Sequence, residues 1–110
     1  MEDGYFTAEY PDGSLQAEGS VVNGKRSGLW VSYHPAGNKQ SENNYYNGVL
    51  DGKTVVYYPS GQIMYIGYYS NGDNDGQWLY FDQESTLIKE IIYKNGEIVS
   101  AVDKNEKPVE

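Results

Sequence analysis

The sequence contains no cysteine and only 8 Lys or Arg among its 110 residues. Without cysteine, neither a disulfide framework nor a thiolate metal site can form, and the redox state of the compartment is left open. No apolar run approaches the about 18 residues that a membrane-spanning helix needs, so the sequence predicts no membrane insertion. Histidine occurs once and tryptophan twice, whereas the chain holds 12 Tyr and 13 Gly.

The charge balance is strongly acidic. Asp and Glu number 16, which gives a formal net charge of −8. Neutralising phosphates requires clustered cations, and the few basic residues are scattered along the chain. We therefore do not expect nucleic acid or anionic lipid to be a partner. A basic protein partner would instead be attracted, mainly through a faster association rate.

The N-terminus reads "MEDGYF", which is acidic and unlike a signal peptide. The compartment is therefore unknown. We expect a cytoplasmic protein if the chain is complete, and an exported or cell-surface protein if an N-terminal signal has been removed.

A 24-residue repeat organises the chain. Four sets of residues recur at that step: Asn-Gly at 23–24, 47–48, 71–72 and 95–96; Gly4, Gly28, Gly52 and Gly76; Gly13, Gly37 and Gly61; Pro11, Pro35 and Pro59. Such a period indicates a tandem array in one domain. We predict a single repeat domain over residues 1–100, with units at about 4–27, 28–51, 52–75 and 76–100, and a polar C-terminal tail at 101–110.

One segment resembles a phosphate-binding loop, since Gly48, Gly52, Lys53 and Thr54 nearly spell its motif. Only three residues separate the glycines where four are needed, and the following "TVVYYPSG" has the composition of a strand instead of a helix. Because the repeat accounts for these residues, we predict no cofactor.

Each unit reads as two strands and two turns. Pro35 and Gly37 suit a three-residue hairpin loop, and Asn-Gly is the favoured two-residue turn. The loop predicts pairing of Tyr33 with Lys39 and of Val31 with Ser41. Bulges are expected at Gly28, Gly52 and Gly76, which absorb a mismatch in register between units. The fold class is therefore all-β, an elongated antiparallel sheet of tandem β-hairpin repeats.

Alternation along the strands predicts two unlike faces. The valine face carries Val31, Val55, Leu79, Tyr33, Tyr57 and Phe81, and we expect it to be buried. The tryptophan face carries Trp30, His34, Tyr58, Trp78 and Tyr80, and the pairing above adds Glu18, Glu42 and Glu90 to it. Because Tyr and Trp are enriched at binding hot spots, these five aromatic residues form the candidate partner-binding face. The alternative is that cross-strand aromatic pairs simply stabilise a thin sheet.

The units "GLWVSYHPAGNKQSENNYYNGVLDG" and "GKTVVYYPSGQIMYIGYYSNGDNDG" resemble the MORN repeat variant, whose units read Gly-x-Trp-x-x-Tyr-Tyr-x-x-Gly and end in Tyr-x-Asn-Gly. The resemblance covers residues 4–100 and implies a sheet of hairpin repeats. The chain is also similar to small bacterial proteins called YwqK-type antitoxins, which implies binding and neutralising a partner toxin. Thr54, Gln83 and Ser85 depart from the repeat pattern.

No metal or catalytic site is predicted. Asn71, Asp73, Asp75, Gly76 and Asp82 fall at calcium-loop positions, but strands flank the segment and the repeat already explains several of these residues. Weak cation binding at Asp73 and Asp75 is left open. His34 lacks a nucleophile and an orienting carboxylate nearby, and the glutamate column is expected to be a solvated surface.

Two functions remain. The first is a non-catalytic protein-binding module, whose sharpest form is antitoxin-like neutralisation of a basic partner. The alternative is a structural segment of a longer or cell-surface repeat array, with sheet edges used for self-association. An enzyme is not predicted.

Overall fold

Nine β-strands form one antiparallel sheet in which spatial order follows sequence order. The structure is a computed structural model that describes residues 2–104. The strands are β1 (Gly4–Glu9), β2 (Leu15–Val22), β3 (Lys25–Tyr33), β4 (Lys39–Tyr46), β5 (Val49–Tyr57), β6 (Ile63–Ser70), β7 (Asp73–Phe81), β8 (Leu87–Lys94) and β9 (Glu97–Asp103). The molecule measures 58 × 35 × 14 Å, and its nine strands form a single layer.

The all-β prediction is confirmed. No residue between 2 and 104 is helical, and this part of the chain accordingly offers no long apolar helix that could cross a membrane.

The Asn-Gly turns have the geometry that the sequence predicts. The asparagines have φ angles between 48° and 54°, and each following glycine also has a positive φ. Such two-residue turns match the right-handed twist of the flanking strands. The turns also tie neighbouring units together, because the Gly48 N–H donates to the Arg26 carbonyl at 3.0 Å and the Gly72 N–H to the Leu50 carbonyl at 2.8 Å.

The hairpin loops close as three-residue turns. The His34 N–H donates to the Asn38 carbonyl, and the Gly37 N–H to the His34 carbonyl, both at 2.8 Å. The loop at 82–86 keeps this geometry without proline or glycine. The Ser85 N–H donates to the Asp82 carbonyl at 3.0 Å, and Ser85 has a φ of 66°. The departure of this loop from the repeat therefore changes its residues and not its shape.

The hairpin register differs from the prediction by one residue. Tyr33 pairs with Lys39 as expected, but Val31 lies opposite Glu42 instead of Ser41 because a bulge at Gln40 intervenes. The equivalent shifts place Glu18 opposite Val31, and Glu90 opposite Leu79. The predicted location of the three glutamates on the tryptophan face is therefore wrong. They lie on the valine face.

The repeated glycines form bulges where predicted. Between the pairs Glu18–Val31 and Ser20–Ser27, three residues of β3 face one residue of β2. Gly28 begins this widened stretch with a φ of 72°, and Gly52 and Gly76 have φ angles of 107° and 68° in β5 and β7. Two extra residues keep the alternation of side chains in phase across the bulge.

The buried side chains lie on both faces. Val21, Trp30, Thr54, Trp78 and Ile91 are buried on the tryptophan face, and Val31 and Val55 on the valine face. The prediction that the valine face is the buried face is therefore wrong. A single-layer sheet has no second sheet to cover either face.

The last strand extends into the predicted tail. Residues 101–103 belong to β9, which pairs with β8, and the Lys104 N–H donates to the Ile88 carbonyl at 2.8 Å. The predicted tail boundary at residue 101 is thus too early. The remainder of the predicted tail, residues 105–110, lies outside the described residues.

Candidate protein-binding site

The two tryptophans are fixed parts of the sheet. The Trp30 indole lies across Gly19 and donates its Nε1–H to the Ser20 carbonyl at 2.9 Å. The Trp78 indole lies across Gly67 and donates to the Tyr68 carbonyl at 3.1 Å. Their exposed fractions are only 9% and 3%. Indoles buried to this extent offer little surface to a partner, which favours a structural role for both tryptophans, and their predicted partner-binding role stays a prediction.

Thr54 and Asn43 replace a tryptophan–glycine pair. Thr54 stands at the tryptophan position of its unit, and Asn43 stands where Gly19 and Gly67 stand in theirs. The Thr54 hydroxyl donates to Asn43 Oδ1 at 2.5 Å, and Thr54 is 2% exposed. Both partners of the contact have changed together. This explains why Thr54 interrupts the aromatic column, the series of aromatic residues at 24-residue spacing formed by Phe6, Trp30 and Trp78.

Tyr80 belongs to an aromatic cluster around Trp78. Tyr65 stacks on Trp78 with centroids 5.8 Å apart, Tyr69 and Tyr93 meet it edge-on at 5.1 and 5.9 Å, and Tyr80 packs on Tyr65 at 5.5 Å. Burial raises the pKa of Tyr69 and of Tyr80. These cross-strand contacts support the structural role for the aromatic column that the sequence left as the alternative.

His34 and Tyr58 lie beside the hairpin loops. The Tyr58 hydroxyl donates to the Phe81 carbonyl at 2.8 Å, as Tyr10 does to the Tyr33 carbonyl at 2.6 Å. His34 occupies the same position of its unit, and its Nε2 is buried with no hydrogen-bond partner among the described residues. Of the five predicted site residues, Trp30 and Trp78 are thus buried indoles, Tyr80 belongs to the cluster around Trp78, and His34 and Tyr58 lie beside the hairpin loops.

The valine face carries a row of carboxylate–tyrosine pairs. Glu18 accepts hydrogen bonds from the hydroxyls of Tyr33 and Tyr5, the latter at 2.6 Å, and these bonds lower the pKa of Glu18. Glu42 accepts from the Tyr57 hydroxyl. The bond to Glu18 raises the pKa of Tyr33 to about 12, and burial followed by the bond to Glu42 does the same for Tyr57.

At the third position of this row, both members of the pair are replaced by apolar residues. Phe81 stands at the position of Tyr33 and Tyr57, and Ile66 stands at the position of Glu18 and Glu42. A hydroxyl and a carboxylate have disappeared together. The pairs are therefore built into the repeat, and loss of one partner alone would leave a polar group unmatched.

The valine face is also the acidic face. Strand pairing places seven carboxylates and four lysines on it: Glu9, Glu18, Glu42, Asp73, Asp75, Glu90 and Glu97, with Lys25, Lys39, Lys53 and Lys94. The paired charged residues of the tryptophan face are Arg26, Lys89 and Asp103. Arg26 lies 4.6 Å from the Trp30 ring centroid, so its charge is directed at an indole.

Exposed apolar side chains accompany these carboxylates. In β1–β8, the large apolar residues with exposed fractions of 39% or more all lie on the valine face: Tyr5, Val22, Leu29, Tyr46, Val49 and Tyr68. Tyr46 is 73% exposed, and a shallow hollow of about 220 Å³ lies between it and Val22, Asn23, Ser27 and Asn47. The bulge at Gln40 brings Tyr46 to this face, and simple alternation along the strand does not predict that placement.

The calcium-loop positions do not form a loop. Asp73 and Asp75 lie on β7, whereas Asp82 follows the far end of that strand, where its carboxylate accepts the N–H groups of Glu84 and Thr86 at 2.9 and 3.0 Å. Within residues 2–104, no three His, Asp or Glu side chains are grouped so that they could hold a metal ion. Weak cation binding at Asp73 and Asp75 stays a prediction.

Comparison with known proteins identifies the repeat. A family model described as the MORN repeat variant matches residues 26–47, 50–71 and 74–95, which together make up more than half of the chain. A family of this kind suggests a repeat module that binds proteins.

Among solved structures, the chain is similar to one described as "Glycosylation Associate Protein (Gap123) complex from Streptococcus agalactiae", with 17% identity and a TM-score of 0.48. The alignment covers 89% of this chain and 18% of that one, so the chain spans about a fifth of the length of this neighbour. No curated protein sequence matches.

Proposed function

The chain belongs to the family of MORN repeat variants, and from this we propose that it is a non-catalytic protein-binding module whose valine face receives a basic protein. The observation that carries the proposal is the coincidence of excess carboxylates and exposed apolar side chains on one face of a single-layer sheet. Charge of one sign speeds the encounter with a partner of the other sign. Exposed aromatic and aliphatic groups supply the contact area that then holds it.

Tyr46 and Tyr68 are the best anchors on this face. Their exposed fractions are 73% and 46%, and they lie on β4 and β6, which are separated in the sheet by β5 alone. Tyrosine gives a large contact area at a small cost in side-chain entropy, which is one reason that it recurs in hot spots. A basic partner that lies across β4 to β7 would meet both rings and the carboxylates of Asp73 and Asp75.

Antitoxin-like neutralisation is the finer form of this proposal. A toxin that acts on nucleic acid needs a basic surface to hold phosphates. An acidic sheet that covers such a surface would block the toxin without any chemistry of its own. The resemblance to YwqK-type antitoxins and the net charge of −8 support this form.

The experiment is a pull-down from the host followed by affinity measurements with matched variants. Tyr46→Ala and Tyr68→Ala should each weaken the captured partner about tenfold or more, since hot-spot truncations cost about 2 kcal/mol. Ile98→Ala is the control, because Ile98 is 57% exposed on the tryptophan face. Weaker binding by Ile98→Ala together with normal binding by both tyrosine variants would reject the valine face as the site.

A structural role is the second candidate, and the exposed edges of the sheet favour it. All seven residues of β9 are exposed, among them Ile98, Val99 and Val102 at 57%, 60% and 42%. An apolar edge strand can pair with another chain. Sedimentation equilibrium tests this role. Assembly that depends on concentration and disappears in Val99→Lys would support the array, and a monomer at all concentrations would reject it.

A further inference from the structure

The two edges of the sheet are not equivalent, because β1 keeps the features of an interior strand. Gly4 stands at the position of Gly28, Gly52 and Gly76, and it has the positive φ of a bulge glycine, 136°. Phe6 stands at the position of Trp30 and Trp78. On its outer side, however, β1 has no strand next to it within the described chain.

At the interior positions, these features serve the contact with the preceding strand. We call β2, β4, β6 and β8 the return strands. The pairs Glu18–Val31, Glu42–Val55 and Ile66–Leu79 show the same register at three successive junctions between a return strand and the strand that follows it. At each junction, the bulge glycine widens the later strand against the return strand.

The tryptophan position crosses the same junction. Trp30 of β3 covers Gly19 of β2, and Trp78 of β7 covers Gly67 of β6. By the repeat, Phe6 is directed at the place where a glycine of a preceding return strand would lie. Phe6 is half-buried, whereas both tryptophans are buried. This difference is expected if the Phe6 ring packs on β1 but has no preceding return strand to cover.

The other edge has lost this design. In β9, Ser100 stands at the glycine position and Val102 at the tryptophan position. The register between β8 and β9 shifts by a single residue between Ile92 and Tyr93, in place of the two-residue widening at the interior junctions. The β9 edge thus lacks the features that the interior junctions share, whereas β1 keeps them.

We propose that the outer edge of β1 is a docking site for a return strand supplied by another protein of the same repeat type. The occupant is an extended segment that pairs antiparallel with β1 and places a glycine against Phe6. It should contain few carboxylates, because Glu9 ends β1 and Glu2 lies two residues before the strand begins. Main-chain hydrogen bonds would give the affinity, and the glycine would give the selectivity.

A second copy of this chain does not fit the site. Each of its return strands is already paired on both sides, since β2, β4, β6 and β8 all lie inside the sheet. The two edge strands, β1 and β9, are both of the other type. The outer edge of β1 is distinct from the valine face, so strand docking there is independent of the proposed binding of a basic protein.

The test uses the whole chain and a synthetic peptide with the sequence of residues 62–72, which is a return strand with a central glycine and no carboxylate side chain. The control peptide carries valine at the position of Gly67. NMR titration should show binding in the millimolar range or tighter, with amide exchange slowed about tenfold in β1 and unchanged in β9. The control peptide should bind about tenfold more weakly, because its Cβ would meet the Phe6 ring.

Variants of the chain complete the design. Gly4→Val should weaken the peptide about tenfold, because a bulge glycine at positive φ does not tolerate a β-branched residue. Val99→Lys on the opposite edge should leave binding unchanged. The proposal is overturned if the two peptides bind equally, if β9 is protected instead of β1, or if no binding occurs. Protection of β1 that rises with the concentration of the chain alone would assign the edge to a second copy and also overturn it.

Discussion

The indole ring of Trp78 lies so close over Gly67 that a Cβ on this glycine would be 2.2 Å from Trp78 Cδ2. The Trp30 ring and Gly19 have the same relationship, also at 2.2 Å. Glycine is needed here for the close approach of an aromatic ring, since neither residue is among the glycines with a positive φ. A single-layer sheet buries an indole by laying it flat, and a flat ring leaves no room for a side chain beneath it.

We predict that Gly67→Ala lowers the free energy of unfolding by about 2–4 kcal/mol. The added methyl group must displace the Trp78 ring from the backbone of residue 67 and break its hydrogen bond to the Tyr68 carbonyl. Urea unfolding monitored by tryptophan fluorescence measures the change. Ser70→Ala, an exposed position of the same strand, should change stability by less than about 0.5 kcal/mol. Equal effects of the two substitutions would contradict the close contact.

We predict that Thr54 and Asn43 can be replaced by a tryptophan–glycine pair only if both residues are changed together. Thr54→Trp alone would drive an indole against the Asn43 side chain, and Asn43→Gly alone would leave the buried Thr54 hydroxyl without its acceptor. The double variant restores the tryptophan–glycine contact of the other units. A double-mutant cycle should therefore give a favourable coupling of about 1–3 kcal/mol. Additive effects would show that the two positions are independent.

The sequence predicted the repeat, the strands, the turns and the bulge glycines, because each depends on local chemistry that recurs at a fixed step. Asn47-Gly48 and Pro35 with Gly37 encode their turns directly. The face on which each side chain lies is less predictable, because a one-residue bulge moves every later side chain of the strand to the other face. The bulge at Gln40 moved Glu42 in this way.

The burial of the aromatic column also exceeded what the strand pattern indicated. Gly19 and Gly67, each 11 residues before a tryptophan, were the available signal. The hydrogen bonds of Trp30 and Tyr58 to main-chain carbonyls could not be predicted, because they depend on the relative placement of neighbouring strands in three dimensions.

Ser85 is the non-glycine residue that holds the left-handed position in the last hairpin loop, with a φ of 66°. Gly13, Gly37 and Gly61 hold that position in the other units. We predict that Ser85→Gly raises the free energy of unfolding by about 0.5–1 kcal/mol, as relief of the strained backbone outweighs the added freedom of the unfolded chain. Thermal unfolding measures the gain. Gly61→Ala is the matched reverse change and should destabilise the protein, and a destabilised Ser85→Gly variant would show that the serine side chain itself supports the loop.

The tyrosine–carboxylate pairs of the valine face predict how stability depends on alkaline pH. The pKa values of Tyr33 and Tyr57 are raised to about 12 from an ordinary value of 10.0. Because the folded values lie above the unfolded ones, this contribution to stability is fully present below about pH 10 and is lost as the pH rises towards about 12. The free energy of unfolding should therefore fall across this range.

The variant with both Tyr33→Phe and Tyr57→Phe separates this effect from the ionisation of the other tyrosines. It should be less stable than the parent protein at pH 8, because the pairs are lost, but its stability should fall less steeply between about pH 10 and 12. Tyr46→Phe, at a ring that is 73% exposed, is the control and should keep the slope of the parent. Urea unfolding at fixed pH gives the slopes, and absorbance at the tyrosinate band should show two fewer late-titrating groups in the double variant. An unchanged slope in that variant would mean that the hydroxyls of Tyr33 and Tyr57 do not hold their protons against Glu18 and Glu42.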